Sequence, residues 1–243
     1  MSTKINPPYL GSAYYPEDWD ESQIDSDIAE MVRAGFNVAR VGEFAWRKME
    51  PAEGKYDFSW LHRVVDKLAA AGIKTIMGTP TATPPIWLSR KHPDIMAVMD
   101  NGRQKKHGGR RHCCSNDPHY RAASAKIVEA LAREFGGDEN VIGWQIDNEI
   151  YRDCCFCPVC LKGFAEYLAK KYGSIDNLNA AWNLNLFSQA YDSFDEVPPP
   201  SDAWHNPHLH LEWNAFQSES QIAFVHMQND ILKKHTSAPV GTD

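Results

Sequence analysis

The chain has 243 residues, 43% of them apolar and 23% charged, which suits an ordinary globular protein with one sizeable core or two small ones. Lys and Arg number 25 against 32 Asp and Glu, a formal charge of −7, and this counts against a primary nucleic-acid binder, which carries a basic face. No apolar run approaches the roughly 20 residues of a membrane span, and Met1–Pro8 lacks the apolar stretch of a secretory signal, so the expectation is a soluble, cytoplasmic protein.

Taken in chain order, one type of unit recurs: a short apolar strand, a loop, an amphipathic helix, a glycine and the next strand. Leu10–Tyr15 reads as the first strand. A helix follows from about Asp20, with Gln23 placed to complete a capping box and Ile24, Ile28, Met31 and Val32 on one face. Gly35 sits at the C′ position, and Phe36–Val41 is the second strand. Leu61, Val64, Val65 and Leu68 form the next stripe, closed by Gly72, before a third strand at Ile73–Met77. Asp117-Pro118 pairs a cap with a proline at N1 and opens a helix through Ile127, Val128, Leu131 and Phe135. Gly136-Gly137 ends it, and Val141–Ile146 is a fourth strand. Pro158 begins another helix, with Phe164, Tyr167 and Leu168 on its apolar side. A long helical stretch from about His208 to Lys234 leads into Ala238-Pro-Val-Gly-Thr, the start of a fifth strand.

Strands alternating with helices imply parallel βαβ crossovers, and either an open doubly wound sheet or a (β/α)8 TIM barrel satisfies them. The open sheet usually carries a glycine-rich phosphate loop after its first strand, whereas that turn here is Tyr14-Tyr15-Pro16-Glu17-Asp18-Trp19. Polar and aromatic residues instead follow every strand, at Tyr14-Tyr15, Arg40–Trp46, Thr79–Trp87 and Asp147-Asn148-Glu149. Function gathered at the C-terminal ends of all strands is the barrel habit. Only about the first four to five β/α units are present, because the excursions Thr81–Pro118 and Tyr151–Pro207 use much of the length. Residues 1–243 therefore read as the N-terminal portion of a TIM-barrel catalytic domain, with a cysteine-rich insertion around 150–165 and a C-terminal remainder outside the sequence.

The run Val141–Glu149 ends a buried strand in three polar residues, which brings Glu149 to the rim with Asn148 beside it. Glycoside hydrolysis needs a carboxylic acid to protonate the leaving oxygen and a second carboxylate across the scissile bond. An adjacent Asn suits a hydrogen bond to the sugar's 2-hydroxyl, and Tyr14, Tyr15, Trp46, Trp87 and Trp144 suit stacking on sugar faces, though core packing accounts for the tryptophans individually. Alone, an Asn-Glu pair is no more than a surface carboxylate and its neighbour.

Five stretches in order make the sequence recognisable: Tyr14-Tyr15-Pro16-Glu17-Asp18-Trp19, Arg40-Val-Gly-Glu43-Phe-Ala-Trp46, Gly78-Thr-Pro-Thr-Ala-Thr-Pro-Pro-Ile-Trp87, His107-Gly-Gly-Arg-Arg-His112 and Asp147-Asn-Glu149. Together they resemble glycoside hydrolase family 42 β-galactosidases over nearly the whole chain. The resemblance implies a barrel that cleaves terminal β-D-galactosides with retention. It matches Glu149 to the acid/base, Asn148 and Arg110 to galactose-contacting positions, and Arg40 and Glu43 to a motif at the rim of strand two. The family's nucleophile is a Glu after strand seven, beyond the strands present here, so this chain alone is expected to be inactive. Full-length members often form homo-oligomers, trimers among them.

The six cysteines fall in two clusters, Cys113-Cys114 and Cys154, Cys155, Cys157, Cys160, unlike the spread of a secreted disulfide scaffold. Three thiols on one loop running into a helix converge on a single ion, and four thiolates make a closed, structural zinc site. Cys114 is the natural fourth ligand, and the resemblance matches Cys114, Cys155, Cys157 and Cys160 to the family's cluster, although Cys154 could stand in for Cys155. The expected role is to pin the loops that present Arg110 and Glu149. Free thiols, or a redox pair at Cys157 and Cys160, are the alternatives.

Two rival functions follow from other features. Arg103, Lys105, Lys106, His107, Arg110, Arg111 and His112 form a basic run beside the cysteines, as in a non-catalytic zinc-containing binding module, but the overall charge disfavours nucleic acid. A β-mannanase or xylanase also places Asn-Glu after strand four. His205, His208, His210, His226 and His235 have no mutual ligand spacing and read as helix-surface residues, and Asp195 and Glu196 read as solvated loop carboxylates.

Overall fold

The computed structural model describes residues 8–150, 154–201 and 206–243, so the N-terminal stretch before Pro8, the 151–153 part of the insertion and His205 lie outside the described residues. The strands are β1 (Gly11–Ala13), β2 (Val38–Val41), β3 (Lys74–Gly78), β4 (Val141–Gln145) and β5 (Val240–Gly241). The helices are α1 (Ile24–Arg33), α2 (Trp46–Met49), α3 (Ser59–Ala70), α4 (Ile86–Lys91), α5 (Pro118–Phe135), α6 (Pro158–Tyr172), α7 (Ile175–Trp182) and α8 (Pro207–Leu232). They divide into two compact units, one of Met1–Leu88, Ala123–Ile150 and Met227–Asp243, the other of Ser89–Ala122 and Tyr151–His226.

The first unit holds a five-stranded sheet in the order β1-β2-β3-β4-β5, every neighbouring pair parallel. A doubly wound sheet reverses its strand order at a switch point, whereas a barrel lays strands down in sequence order. The observed order is therefore that of a partial (β/α) barrel. Leu61, Val64, Val65 and Leu68 of α3, and Ile127, Val128, Leu131 and Phe135 of α5, are all fully buried. Both α1 and α3 end in Schellman geometry: Gly35 lies at φ +79°, with Gly35 N–H bonded to Val32 O and Phe36 N–H to Met31 O.

Several sequence expectations are corrected here. β1 is shorter than Leu10–Tyr15 because Pro16, lacking an N–H, opens a 3-10 turn at Pro16–Asp18. Asp20 caps a separate 3-10 turn at Glu21–Gln23, accepting from Ser22 N–H at 2.9 Å, so Gln23 completes no capping box. Val32 is 49% exposed while Ile24 and Ile28 are buried, since at 100° per residue it lies about 80° off the Ile24 line.

In the second unit, α6, α7 and residues 207–226 of α8 surround an aromatic core. Phe164 meets Trp213 edge-on at 4.9 Å, and Phe156 stacks on Trp213 at 5.1 Å. Helix α7 was not anticipated, although its signal was present: Ser174 accepts from Asn177 N–H at 3.2 Å as an N-cap. Glu196 is a cap as well as an exposed carboxylate, because its side chain accepts from the N–H groups of Asp192 and Ser193.

Glu212 is the polar hub of this unit. Its carboxylate accepts from Tyr167 Oη at 2.8 Å, Tyr172 Oη at 2.7 Å and Lys171 Nζ at 2.7 Å. Burial alone would raise its pKa, but hydrogen bonds from Lys171, Tyr172 and Tyr167 outweigh it and hold the carboxyl below the usual value of 4.5. A depressed carboxylate pKa adds stability above the unfolded value and loses it as pH falls through the folded value. In urea denaturation, Glu212→Gln is expected to destabilise the protein by about 2 kcal/mol at neutral pH, with the difference from wild type closing as pH drops below about 4.5.

Candidate active site and metal centre

Beyond β4 the backbone makes an unusual turn. Asp147 (φ 57°) and Glu149 (φ 46°) both occupy the left-handed region, which costs a non-glycine residue free energy and persists only where surrounding contacts enforce it. The contacts are on Asp147, which is fully buried. Its N–H donates to Thr79 Oγ1 at 2.8 Å, its Oδ2 accepts from Thr81 Oγ1 at 2.6 Å, and its carbonyl accepts from Gln145 Nε2 at 3.0 Å. Its Oδ1 accepts from Asn148 N–H at 2.8 Å, and the Thr79 hydroxyl donates a hydrogen bond to Gln228 Oε1 at 2.7 Å. Asp147 is thus bound at four points.

The turn leaves Glu149 exposed, with its N–H donating to Asp243 Oδ1 at 2.7 Å. Asn148 is 3% exposed, yet its Nδ2 has no hydrogen-bonding partner among the described residues. Buried amide donors are normally satisfied, so this one is available to a ligand acceptor.

Arg40, on β2, links the strand ends. Its Nε donates to Glu43 Oε1 at 2.8 Å, and its Nη1 donates to Gln145 Oε1 at 2.6 Å and Asp243 Oδ2 at 3.2 Å. Glu43 is fully buried, and its Oε2 has no partner among the described residues. Gly78 makes room for it, since a Cβ at that position would lie 2.6 Å from Glu43 Cβ. Glu17 went unassigned in the sequence. Both its oxygens are buried and without a partner among the described residues, and burial, with the charges of Asp18 and Glu43 adding to it, pushes its pKa up to about 7.

The aromatic residues divide. Trp46 and Trp144 are buried, Trp46 donating to Glu50 Oε2 at 2.8 Å, and Tyr14 is buried with its hydroxyl donating to Asp27 at 3.0 Å. The two tryptophans serve the core, as the packing account anticipated, and Tyr14 joins them. Trp87 and Tyr15 are half-buried; Trp87 Nε1 donates to Glu50 O at 3.0 Å, and Tyr15 stacks on Phe44.

In the second unit, Cys114, Cys155, Cys157 and Cys160 converge, their sulfurs all within 4.8 Å of one another and all four residues buried. Cys113 and Cys154 are half-buried and stand outside this quartet. Sγ of Cys114 lies 3.4 Å from that of Cys160 and 3.6 Å from that of Cys157. Val98 N–H donates to Cys155 Sγ at 3.3 Å and Asn116 Nδ2 to Cys160 Sγ at 3.4 Å, as donors do to thiolates. Packed this closely, the sulfurs share protons unequally. Hydrogen bonds from Cys114, Cys155 and Cys160 hold Cys157 well below the usual thiol range, while those involving Cys155, Cys157 and Cys160 push Cys114 far above it. The quartet could hold a metal ion. Arg110 is exposed on the loop that precedes Cys114.

A family model for glycoside hydrolase family 42, described as beta-galactosidase, matches residues 13–243. The chain belongs to this family. The beta-galactosidase YesZ of Bacillus subtilis is 40% identical over 236 residues, covering 96% of this chain and 36% of the relative. A beta-galactosidase of Thermus thermophilus is 42% identical over 233 residues, covering 93% of this chain and 36% of that protein. Among solved structures, the beta-galactosidase of the psychrophilic Marinomonas ef1 superposes with a TM-score of 0.91 at 37% identity, over 96% of this chain and 37% of its own. The chain thus spans about a third of the length of the curated relatives it matches. The catalytic domain of a Paenibacillus polymyxa beta-amylase shares the fold alone, with a TM-score of 0.72 at 13% identity over 96% of this chain and 66% of its own. Family membership does not favour the β-mannanase or xylanase alternative, or the binding module.

The hub at Asp147 makes a direct prediction. Thr81→Val removes one donor to a buried carboxylate and is expected to lower the unfolding free energy by about 1–3 kcal/mol in urea denaturation, whereas Thr81→Ser, which keeps the hydroxyl donor, is expected to cost less.

Proposed function

We propose that residues 1–243 supply the N-terminal β/α units of the catalytic domain of a retaining β-galactosidase, with a zinc-bearing insertion around 150–165. The observation that carries this is the pairing of an exposed carboxylate, Glu149, with a buried amide, Asn148, whose Nδ2 lacks a partner among the described residues. In this role Glu149 donates its proton to the departing glycosidic oxygen, then as a carboxylate takes one from the water that releases galactose. Asn148 donates to a sugar hydroxyl, a contact that strengthens as the ring flattens towards the oxocarbenium ion. Arg110 binds galactose, as the family resemblance implies. The nucleophilic carboxylate belongs to the part of the relatives' length that this chain does not span.

The thiol quartet suits a structural zinc. Four thiolates at about 2.3 Å from a tetrahedral ion lie about 3.8 Å apart, and the sulfurs here lie at comparable spacing. Cys114, Cys155, Cys157 and Cys160 would hold the ion, which closes its coordination shell and leaves the chemistry to the protein's carboxylates. Among the described residues no helix is long and apolar enough to cross a membrane. A trimeric full-length protein accords with the family resemblance, and clustered free cysteines accord with a reducing, cytoplasmic location.

The decisive test of the reaction uses the full barrel and a nitrophenyl β-galactoside. On that substrate, whose leaving group departs without acid assistance, Glu149→Ala is expected to lower kcat about 10²–10⁴-fold by slowing hydrolysis of the galactosyl-enzyme, and azide is expected to restore turnover by replacing the activated water. The 243-residue chain alone should release no nitrophenol; robust release by pure material would place the second carboxylate within it. For the metal, protein purified without added zinc is expected to contain one equivalent. Removing it with a chelator should lower Tm and make four further thiols titratable. Absence of metal, with those thiols reactive in the folded protein, rejects the site.

A further inference from the structure

The turn after β4 has two left-handed residues, and the contacts on Asp147 hold only the first of them. The second, Glu149, is held from the neighbouring strand. Ile146 N–H donates to Gly241 O at 2.8 Å, Thr242 Oγ1 donates to Ile146 O at 3.0 Å, and Glu149 N–H donates to Asp243 Oδ1 at 2.7 Å. Residues 241–243 therefore run alongside residues 146–149, and their last contact falls on the backbone of the proposed acid. All of these residues belong to the first unit.

Asp243 has a second partner. Its Oδ2 accepts from Arg40 Nη1 at 3.2 Å. Arg40 is itself fixed on both sides: Nη1 also donates to Gln145 Oε1 at 2.6 Å, and Nε donates to the fully buried Glu43 at 2.8 Å. A charge-assisted bond of this kind orients a carboxylate as well as attracting it. With Oδ2 drawn to the guanidinium, Oδ1 is turned towards the Glu149 N–H. That bond also helps to offset the cost of a left-handed backbone at Glu149.

We infer that Asp243 is a positioning residue for Glu149, one carboxylate oxygen anchored on Arg40 and the other holding the Glu149 N–H. The inference rests on the acid/base reading of Glu149. A general acid must bring its proton within hydrogen-bond reach of the departing oxygen, about 2.6–3.2 Å. The direction in which the Glu149 side chain leaves the backbone is set by the peptide that Asp243 holds, and a misplacement of about 1 Å can cost about 10²-fold in rate. Asp243 touches neither the sugar nor the leaving group in this role and acts only through Glu149.

Kinetics of the full-length enzyme on methyl and dinitrophenyl β-galactosides test the idea, with kcat/KM reporting the step that breaks the glycosidic bond. The methyl galactoside needs the Glu149 proton on its departing oxygen, whereas dinitrophenolate leaves unprotonated. Asp243→Ala is expected to lower kcat/KM about 10–100-fold on the methyl galactoside. The loss on the dinitrophenyl galactoside is expected to stay below about threefold, which also reports that the variant is folded and binds galactose. Asp243→Asn keeps an oxygen for the Glu149 N–H but gives up the ion pair with Arg40, so its loss should fall between wild type and alanine. In a Glu149→Ala background, Asp243→Ala should cost nothing further. Equal losses on the two substrates, no loss on either, a loss with asparagine as large as with alanine, or a full additional loss in the Glu149→Ala background overturns the positioning role and leaves the acid/base reading standing. If Glu149→Ala itself spares the methyl galactoside, the acid/base reading fails and the inference with it.

Discussion

The arrangement at the end of β4 depends on a carboxylate that takes no part in the proposed proton transfer. Asp147 is buried, and all its hydrogen-bonding groups are used: N–H, carbonyl and both side-chain oxygens have protein partners. Those bonds come from β3's flanking Thr79 and Thr81 and from Gln145 of β4 itself. They fix a left-handed backbone that residues other than glycine adopt at a cost in free energy. Because the turn is set, Asn148 folds inward and Glu149 stands outward. Two adjacent side chains thereby face opposite environments, a buried donor and an exposed acid.

The second unit applies the same principle with sulfur. Val98 N–H donates to Cys155 Sγ, and Val98 O accepts from Phe156 N–H at 2.9 Å. Val98 is therefore clasped from both sides by the peptide that carries a cluster thiol. On the other edge of the same stretch, where Met96 bridges to Cys113, Cys114 N–H bonds to Ile95 O at 2.7 Å. The basic loop that displays Arg110 is fastened at its base by the thiol quartet, so an ion bound there would stiffen the loop without touching any ligand in it.

Much of this was legible in the sequence, and the rest was not, for physical reasons. Helical stripes such as Leu61, Val64, Val65 and Leu68 were readable because local periodicity decides them. The quartet of cysteines was readable because three ligands lie within six residues and their chemistry is narrow. Glu149 and Asn148 stood out because a buried strand ended at them. What stayed hidden was held at long range: Thr79 meets Gln228, 149 residues away, through a bond that no local pattern announces. Glu212 carries no local signal of its role, which depends on three partners from α6. Tyr14 belonged to a quoted motif, and its contact with Asp27 put it in the core rather than at the mouth.

The positive φ of Glu149 has a bearing on how this protein can be trapped with a ligand. Position 149 tolerates only side chains compatible with a left-handed backbone, and β-branched residues are the worst suited to it. A valine or threonine there would disturb the peptide plane next to Asn148 and blur loss of chemistry with loss of shape. Glutamine keeps the flexible stem and removes only the ionisable proton, and asparagine adopts this conformation more readily than most residues. For the acid/base role proposed for Glu149, inert variants for crystallographic capture of a bound saccharide are best drawn from that pair.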